Sequence, residues 1–183
     1  MFRCALLALP LLAACTALPP GETASLPRDA VTGAGDPTRT AVFTTTSVFA
    51  QQRPAAGRPA EAARAIAQME FLAVDLPQNQ SFTDASGTLV PQLRTARREW
   101  RGALDIAPEA QAQPVINALY AASRALESGQ GDAAAALPSS IFRKGGLATL
   151  TQLAALPHLP STAAASVTAQ QGIETGNPSQ PRL

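Results

Sequence analysis

The chain is poor in the residues on which several protein classes depend. Its 183 residues include two Cys, one His, one Trp, one Tyr and six Phe. A single His excludes the His-Glu-x-x-His zinc motif and any other zinc site that needs a second His. The scarcity of aromatic residues disfavours an all-β sandwich. Lys and Arg number 14 against 13 Asp and Glu, so the net charge of +1 gives no strong attraction to nucleic acid.

Long hydrophobic runs are also missing. The apolar run from Ala5 to Ala14 is about ten residues long and is interrupted by Pro10. A helix that spans a bilayer needs about 20 such residues. Met1 and Arg3 place positive charge just before the run. This arrangement is typical of a cleavable secretory leader rather than of a transmembrane anchor.

The leader ends in Leu12-Ala13-Ala14-Cys15. This motif resembles the lipobox of bacterial lipoproteins, with an aliphatic residue, two small residues and then Cys. The resemblance implies that residues 1–14 are removed as a signal peptide and that Cys15 receives a diacylglycerol thioether. Since Thr16 rather than Asp follows Cys15, it also implies an outer-membrane location facing the periplasm. Ordinary secretion, with cleavage after Ala17, is the alternative.

Composition predicts an all-α fold for the remainder. Alanine accounts for 39 residues and favours helix, whereas Pro and Gly together number 28. Residues 16–37 carry four Pro and three Gly without an apolar period, so residues 15–37 are predicted to be the lipidated Cys and a flexible tether. An α-helical domain over 38–171 and a disordered tail over 172–183 are expected to follow. In composition this part resembles Ala-rich helical lipoproteins of high-GC bacteria, a likeness that implies no activity.

Apolar spacing and capping residues predict a small irregular bundle of five to seven helices. The predicted segments are 37–50, 59–76, 89–104, 114–127, 132–138, 146–156 and 161–171. The first segment is rich in Thr and Val, which gives a competing strand signal. Asp132 and Ser161 are expected to cap the helices that follow them, and Leu147 is expected to lead a buried face.

The most distinctive candidate site is a row of four arginines. Arg94, Arg97, Arg98 and Arg101 are spaced i, i+3, i+4 and i+7, so a helix presents them on one side beside Leu93 and Trp100. Such a surface could dock on anionic lipid head groups, lipopolysaccharide or an acidic partner. The alternative is a solvated helix flank that acids on other helices neutralise.

The segment from Arg143 through Lys144 and Gly145 to Gly146 is a weaker anion-site candidate. Glycines before a helix start let backbone amides approach an anion, although a simple turn would also explain them. His158 lies between Pro157 and Pro160 and is expected to be an ordinary loop residue. The scattered carboxylates are expected to form solvated helix faces.

No catalytic constellation, metal site or cofactor-binding motif emerges from the sequence. The function predicted is therefore a membrane-anchored, non-enzymatic envelope component that binds a protein or lipid partner. A carrier of lipids or small molecules, with a pocket between its helices, is the main alternative. A periplasmic hydrolase is a weaker one. A nucleic-acid partner is not expected, and the sequence does not indicate the oligomeric state.

Overall fold

Six α-helices make up most of the described chain. The computed structural model of the protein describes residues 21–31, 35–50, 55–79, 82 and 86–175. The helices are α1 (Pro37–Phe49), α2 (Pro59–Asp75), α3 (Ser86–Ala103), α4 (Ala112–Ser128), α5 (Gly146–Ala154) and α6 (Pro160–Thr175). The described residues contain no β-strand, and their only β-type pairing is one antiparallel bridge between Ile106 and Phe142. The predicted all-α class is therefore confirmed.

Helix α1 is set by its first residues. The Asp36 carboxylate accepts a hydrogen bond from the Thr38 backbone N–H at 2.9 Å, and Pro37 occupies the first turn. Farther along, the Thr45 hydroxyl donates to the Ala41 carbonyl at 2.8 Å, which satisfies a buried polar group within the helix. The helical prediction for this segment is confirmed over the competing strand.

Helix α2 lies at the centre of the bundle. It packs most extensively on α4 and also contacts α1, α3 and α5, whereas α6 packs on α3 and α1. Ala62, Ala63, Ala65 and Ala67 of α2 are fully buried, and such small side chains allow neighbouring helices to approach closely. The largest fully buried side chains are those of Trp100, Phe142, Ile66, Met69, Leu72, Leu76, Leu89, Leu93, Leu104, Ile116, Leu119 and Leu137.

Two local predictions were wrong. Residues 132–138 form turns rather than a helix. Asp132 Oδ1 accepts from the backbone N–H groups of Ala134 at 2.9 Å and Ala135 at 3.1 Å, as an N-cap does, but Pro138 follows too soon for a helix to continue. Leu147 was expected to be buried, but it is 76% exposed at the start of α5.

The start of α6 differs from the prediction as well. Helix α6 begins at Pro160, so Ser161 lies within its first turn and does not cap it. The cap comes from α3, where the Glu99 carboxylate accepts from the backbone N–H groups of Ser161 at 3.1 Å and Thr162 at 2.8 Å. A carboxylate suits this position because helix N-termini carry partial positive charge. Glu99 is therefore not the solvated acid that was expected.

Residues 21–31, here called the strap, lie on the helical domain. The Ser25 backbone N–H donates to the Gln113 side chain at 2.7 Å, and Asp29 pairs with Arg124 at 2.6 Å. Leu26 packs against the core. The prediction of a flexible tether over 15–37 was therefore wrong for this part, because its polar side chains find partners on α4.

At the other end, α6 continues to Thr175 with Gly172 buried, so the predicted tail boundary at 172 was too early. The predicted leader, Cys15 and residues 176–183 lie outside the described residues. Among the helices of the described part, none has the length and apolar character needed to cross a membrane.

Candidate anion-binding surface

The four arginines predicted from spacing line one side of α3, and they are called here the arginine face (Arg94, Arg97, Arg98 and Arg101). Together with Gly102, Ile106, Pro108 and Arg143 they border an open surface depression of about 530 Å³. The helix therefore brings the predicted residues together, and the loops after α3 and before α5 complete the rim. The four arginines of the arginine face differ, however, in their burial and in their acidic partners.

Glu70 on α2 is fully buried and holds two of these arginines. Its Oε1 accepts from Trp100 Nε1 at 2.8 Å and from Arg101 Nε at 2.7 Å. Its Oε2 accepts from Arg101 Nη2 at 2.9 Å and from Arg97 Nε at 3.1 Å. A buried carboxylate is tolerated only when it is paired and hydrogen-bonded in this way. The expectation that the acids form solvated faces was therefore wrong for Glu70.

Arg101 is held from its other side too. Its Nη1 donates to the backbone carbonyl of Ala110 at 2.8 Å, in the loop that leads into α4. Its side chain is only 11% exposed. With one carboxylate and the carbonyls of Pro108 and Ala110 as acceptors, this guanidinium joins α2, α3 and the following loop. Arg101 therefore connects parts of the fold and is not free to bind a partner.

Glu22 of the strap completes the network on the outer side of Arg97. Its Oε2 accepts from Arg97 Nη1 at 2.8 Å, and its Oε1 accepts from Arg97 Nη2 at 3.1 Å. The Oε1 atom also accepts from the backbone N–H of Ala112, the first residue of α4, at 2.6 Å. This arrangement satisfies an otherwise unpaired donor at a helix N-terminus and fixes the strap to both α3 and α4.

The contact between Glu22 and Arg97 shifts the pKa of both side chains. Hydrogen bonds from Arg97 lower the pKa of Glu22, an effect that its partial burial opposes and the Ala112 N–H strengthens. Burial by itself would lower the pKa of Arg97, but the carboxylates of Glu22 and Glu70 outweigh it and raise that pKa. Both groups are therefore held in their charged forms at neutral pH.

Arg94 and Arg98 differ from Arg97 and Arg101 in having no acidic partner in the described residues. Both are exposed, and within the described chain neither forms an ion pair. Arg98 Nη2 makes only a neutral hydrogen bond to Thr95 Oγ1 at 3.2 Å. Arg143, also at the rim, pairs with Asp105. Of the five arginines around the depression, Arg97, Arg101 and Arg143 pair with carboxylates, whereas Arg94 and Arg98 are exposed without an ion pair in the described residues.

The weaker candidate around Gly145 and Gly146 has a packing explanation. Gly145 precedes α5 with a φ of +81°, a conformation that favours glycine. A Cβ added to Gly146 would lie 2.7 Å from the carbonyl carbon of Ala134, so the turn over 132–138 needs glycine there. Lys144 is exposed, and Arg143 points to Asp105. The four residues therefore do not surround one anion position, although Arg143 joins the rim of the arginine face.

His158 is exposed and borders a second open depression of about 570 Å³, next to Phe49 of α1 and Val167 of α6. Within the described residues, no group of His, Cys, Asp and Glu side chains is arranged to hold a metal ion.

Sequence reasoning missed Glu70 although a signal existed. From Ala65 to Val74, Glu70 is the only charged residue of α2, and its neighbours Met69 and Phe71 are buried too. A helix that is apolar on nearly all sides lies inside a bundle, and an acid there requires a cationic partner.

Comparison of the chain with protein-family models, with curated proteins and with solved structures finds no match.

Proposed function

We propose that this protein is a lipid-anchored, non-enzymatic component of the bacterial cell envelope that binds an anionic partner through the arginine face. The lipobox at Cys15 supports the anchor and, with Thr16, an outer-membrane location facing the periplasm. The observation that carries the binding role is the pair of exposed guanidinium groups on Arg94 and Arg98, which have no acidic partner in the described chain.

The arrangement suits anion recognition chemically. Guanidinium groups present several N–H donors in a plane, which matches the oxygens of phosphate and carboxylate groups. Glu70 fixes Arg97 and Arg101, so these two side chains form a rigid wall beside the free pair. A partner would therefore meet two exposed donors, Arg94 and Arg98, beside two that are already held in place. Ordering the exposed pair costs entropy, whereas the fixed pair adds no such cost.

The carrier alternative has less support. The depressions beside the arginine face, beside Gly21 and beside His158 are all open to solvent. An open depression would leave a lipid chain in contact with water, whereas pockets for apolar ligands bury most of the ligand surface.

Labelling tests the anchor. Bacterial cells that express the protein are grown with a labelled fatty acid, and the purified chain is analysed for incorporation. We expect label in the natural chain and none in the Cys15→Ser variant. Failure to label the natural chain would contradict the anchor, as would label that persists in the variant.

Crosslinking in intact cells tests the binding surface. The double variant Arg94→Gln/Arg98→Gln should lose its crosslinked partner, because it removes both free guanidinium groups. The double variant Arg28→Gln/Arg39→Gln is the matched control, since it removes the same charge from exposed positions outside the arginine face. Equal loss in both variants would mean that general charge, not this surface, governs binding.

A further inference from the structure

We infer that the arginine face docks on the anionic headgroups of the same membrane that holds the N-terminal lipid. This inference rests on the proposed lipid anchor at Cys15. The partner is the phosphate group of anionic lipids. The argument uses the position of the first residues of the strap, which connect the domain to the lipid.

The strap begins beside the arginine face. Gly21 and Glu22 border an open depression of about 540 Å³ together with Arg94 and Arg97. Glu22 accepts three hydrogen bonds, two from Arg97 and one from the Ala112 backbone N–H, and these hold this end of the strap in place. The described chain therefore starts at the edge of the positively charged surface.

The distance from this point to the lipid is limited by the covalent chain. Five residues, 16–20, separate Cys15 from Gly21. Even when fully extended, the six steps between these residues span at most about 22 Å. The 18 residues of α3 extend about 27 Å, so the linker is shorter than the helix that carries the arginine face. A tether that ran freely to residue 37 would have allowed any side of the domain to meet the membrane, whereas the docked strap favours this side.

Charge complementarity selects the lipid. Arg94 shares the depression with Gly21, and Arg98 lies one helical turn beyond it. Both are exposed and lack ion pairs within the described residues. Attraction between basic side chains and an anionic surface decays within about one Debye length, roughly 8 Å at physiological salt, so it requires the closeness that the strap provides.

The experiment uses the full lipidated protein, reconstituted into vesicles of phosphatidylcholine alone or mixed seven to three with phosphatidylglycerol. A fluorophore is attached through Thr95→Cys, next to Arg98 of the arginine face, or, as the matched control, through Thr168→Cys at the depression that His158 borders. Both are Thr-to-Cys changes on helices. Quenching by a spin label on the lipid headgroup then reports how close each position lies to the membrane surface.

We expect the Thr95→Cys probe on the phosphatidylglycerol vesicles to be quenched at least about twofold more than the Thr168→Cys probe, because each arginine near an anionic surface strengthens association about fivefold. The difference should shrink in 0.5 M NaCl, and it should shrink in the Arg94→Gln/Arg98→Gln background. The salt arm does not depend on the folding of that variant.

Equal quenching of the two probes in protein that floats with the vesicles would overturn the docking inference and leave the anchor intact. Protein that carries no fatty acid and does not float would overturn both. If the vesicle data show no difference while the double variant loses a crosslinked protein in cells, the arginine face serves an acidic protein and the lipid inference is wrong.

Discussion

Replacing Glu70 by Gln should destabilise the fold by about 3 kcal/mol. The Glu70 side chain is fully buried, and its two oxygens accept hydrogen bonds from Trp100, Arg97 and Arg101. Gln keeps the volume but replaces one acceptor oxygen by an NH₂ donor. That donor would face guanidinium donors. Arg101 would lose its ion pair, and Arg97 would keep only the one with Glu22.

The size of the effect follows from burial. Removing one member of a buried ion pair costs about 3–5 kcal/mol, because the remaining charge stays desolvated. The side chains of Arg97 and Arg101 are 23% and 11% exposed, so they retain some contact with water. This places the expected loss at the lower end of that range. For a domain of this length, the loss corresponds to a fall in Tm of about 10 °C.

Urea unfolding followed by circular dichroism and by Trp fluorescence measures the loss. Trp100 is the only Trp in the chain and is bonded to Glu70, so its emission reports directly on this site. Glu61→Gln is the control, because Glu61 pairs with Arg58 at the surface and its loss should cost less than about 1 kcal/mol. If Glu70→Gln also cost under about 1 kcal/mol, the buried network would not stabilise the fold as argued.

Two further variants test the packing and the strap. Gly146→Ala should lower the free energy of unfolding in urea by about 3 kcal/mol, because the added Cβ would overlap the Ala134 carbonyl. The control Gly102→Ala should be neutral or stabilising, because open space surrounds Gly102 on α3. Equal effects of the two variants would contradict the close approach at Gly146. Glu22→Gln should cost about 1 kcal/mol at pH 7. Because the pKa of Glu22 is lowered by folding, its contribution is full above the ordinary value of 4.5 and is lost as the pH falls through the folded value. The stability difference between Glu22→Gln and the natural chain should therefore shrink between pH 6 and pH 3, and a constant difference would argue against the Arg97 contact.

The central helices were predictable because their signals are local. The spacing of Ile66, Met69 and Leu72 predicted the buried side of α2, and the spacing of Leu93 and Trp100 predicted that of α3. Pro59 marked the start of α2 as expected. In each case the apolar period and the terminating residues predict the same helix. Packing against neighbouring helices is compatible with that helix and does not change it.

The strap and the cap of α6 were not predictable, because each depends on a contact between distant parts of the chain. Residues 21–31 have the composition of a linker, yet Glu22 and Asp29 bind arginines that lie 75 and 95 positions away. Glu99 caps α6 from 62 positions before Ser161. Local composition describes what a segment can do alone and carries no information on such partners.

The arginine face was partly predictable. Helix geometry alone indicates which of its arginines lie near the core and which are exposed. At 100° per residue and measured from Leu93, Arg97 lies at about 40°, Arg101 at about 80°, Arg94 at about 100° and Arg98 at about 140°. The two arginines nearest the buried side are those that Glu70 binds, and the two farthest from it are the exposed pair. Four arginines at helical spacing therefore form a graded set. Those at the boundary with the core require an acid from the neighbouring helix, and only those beyond the boundary retain charge for a partner.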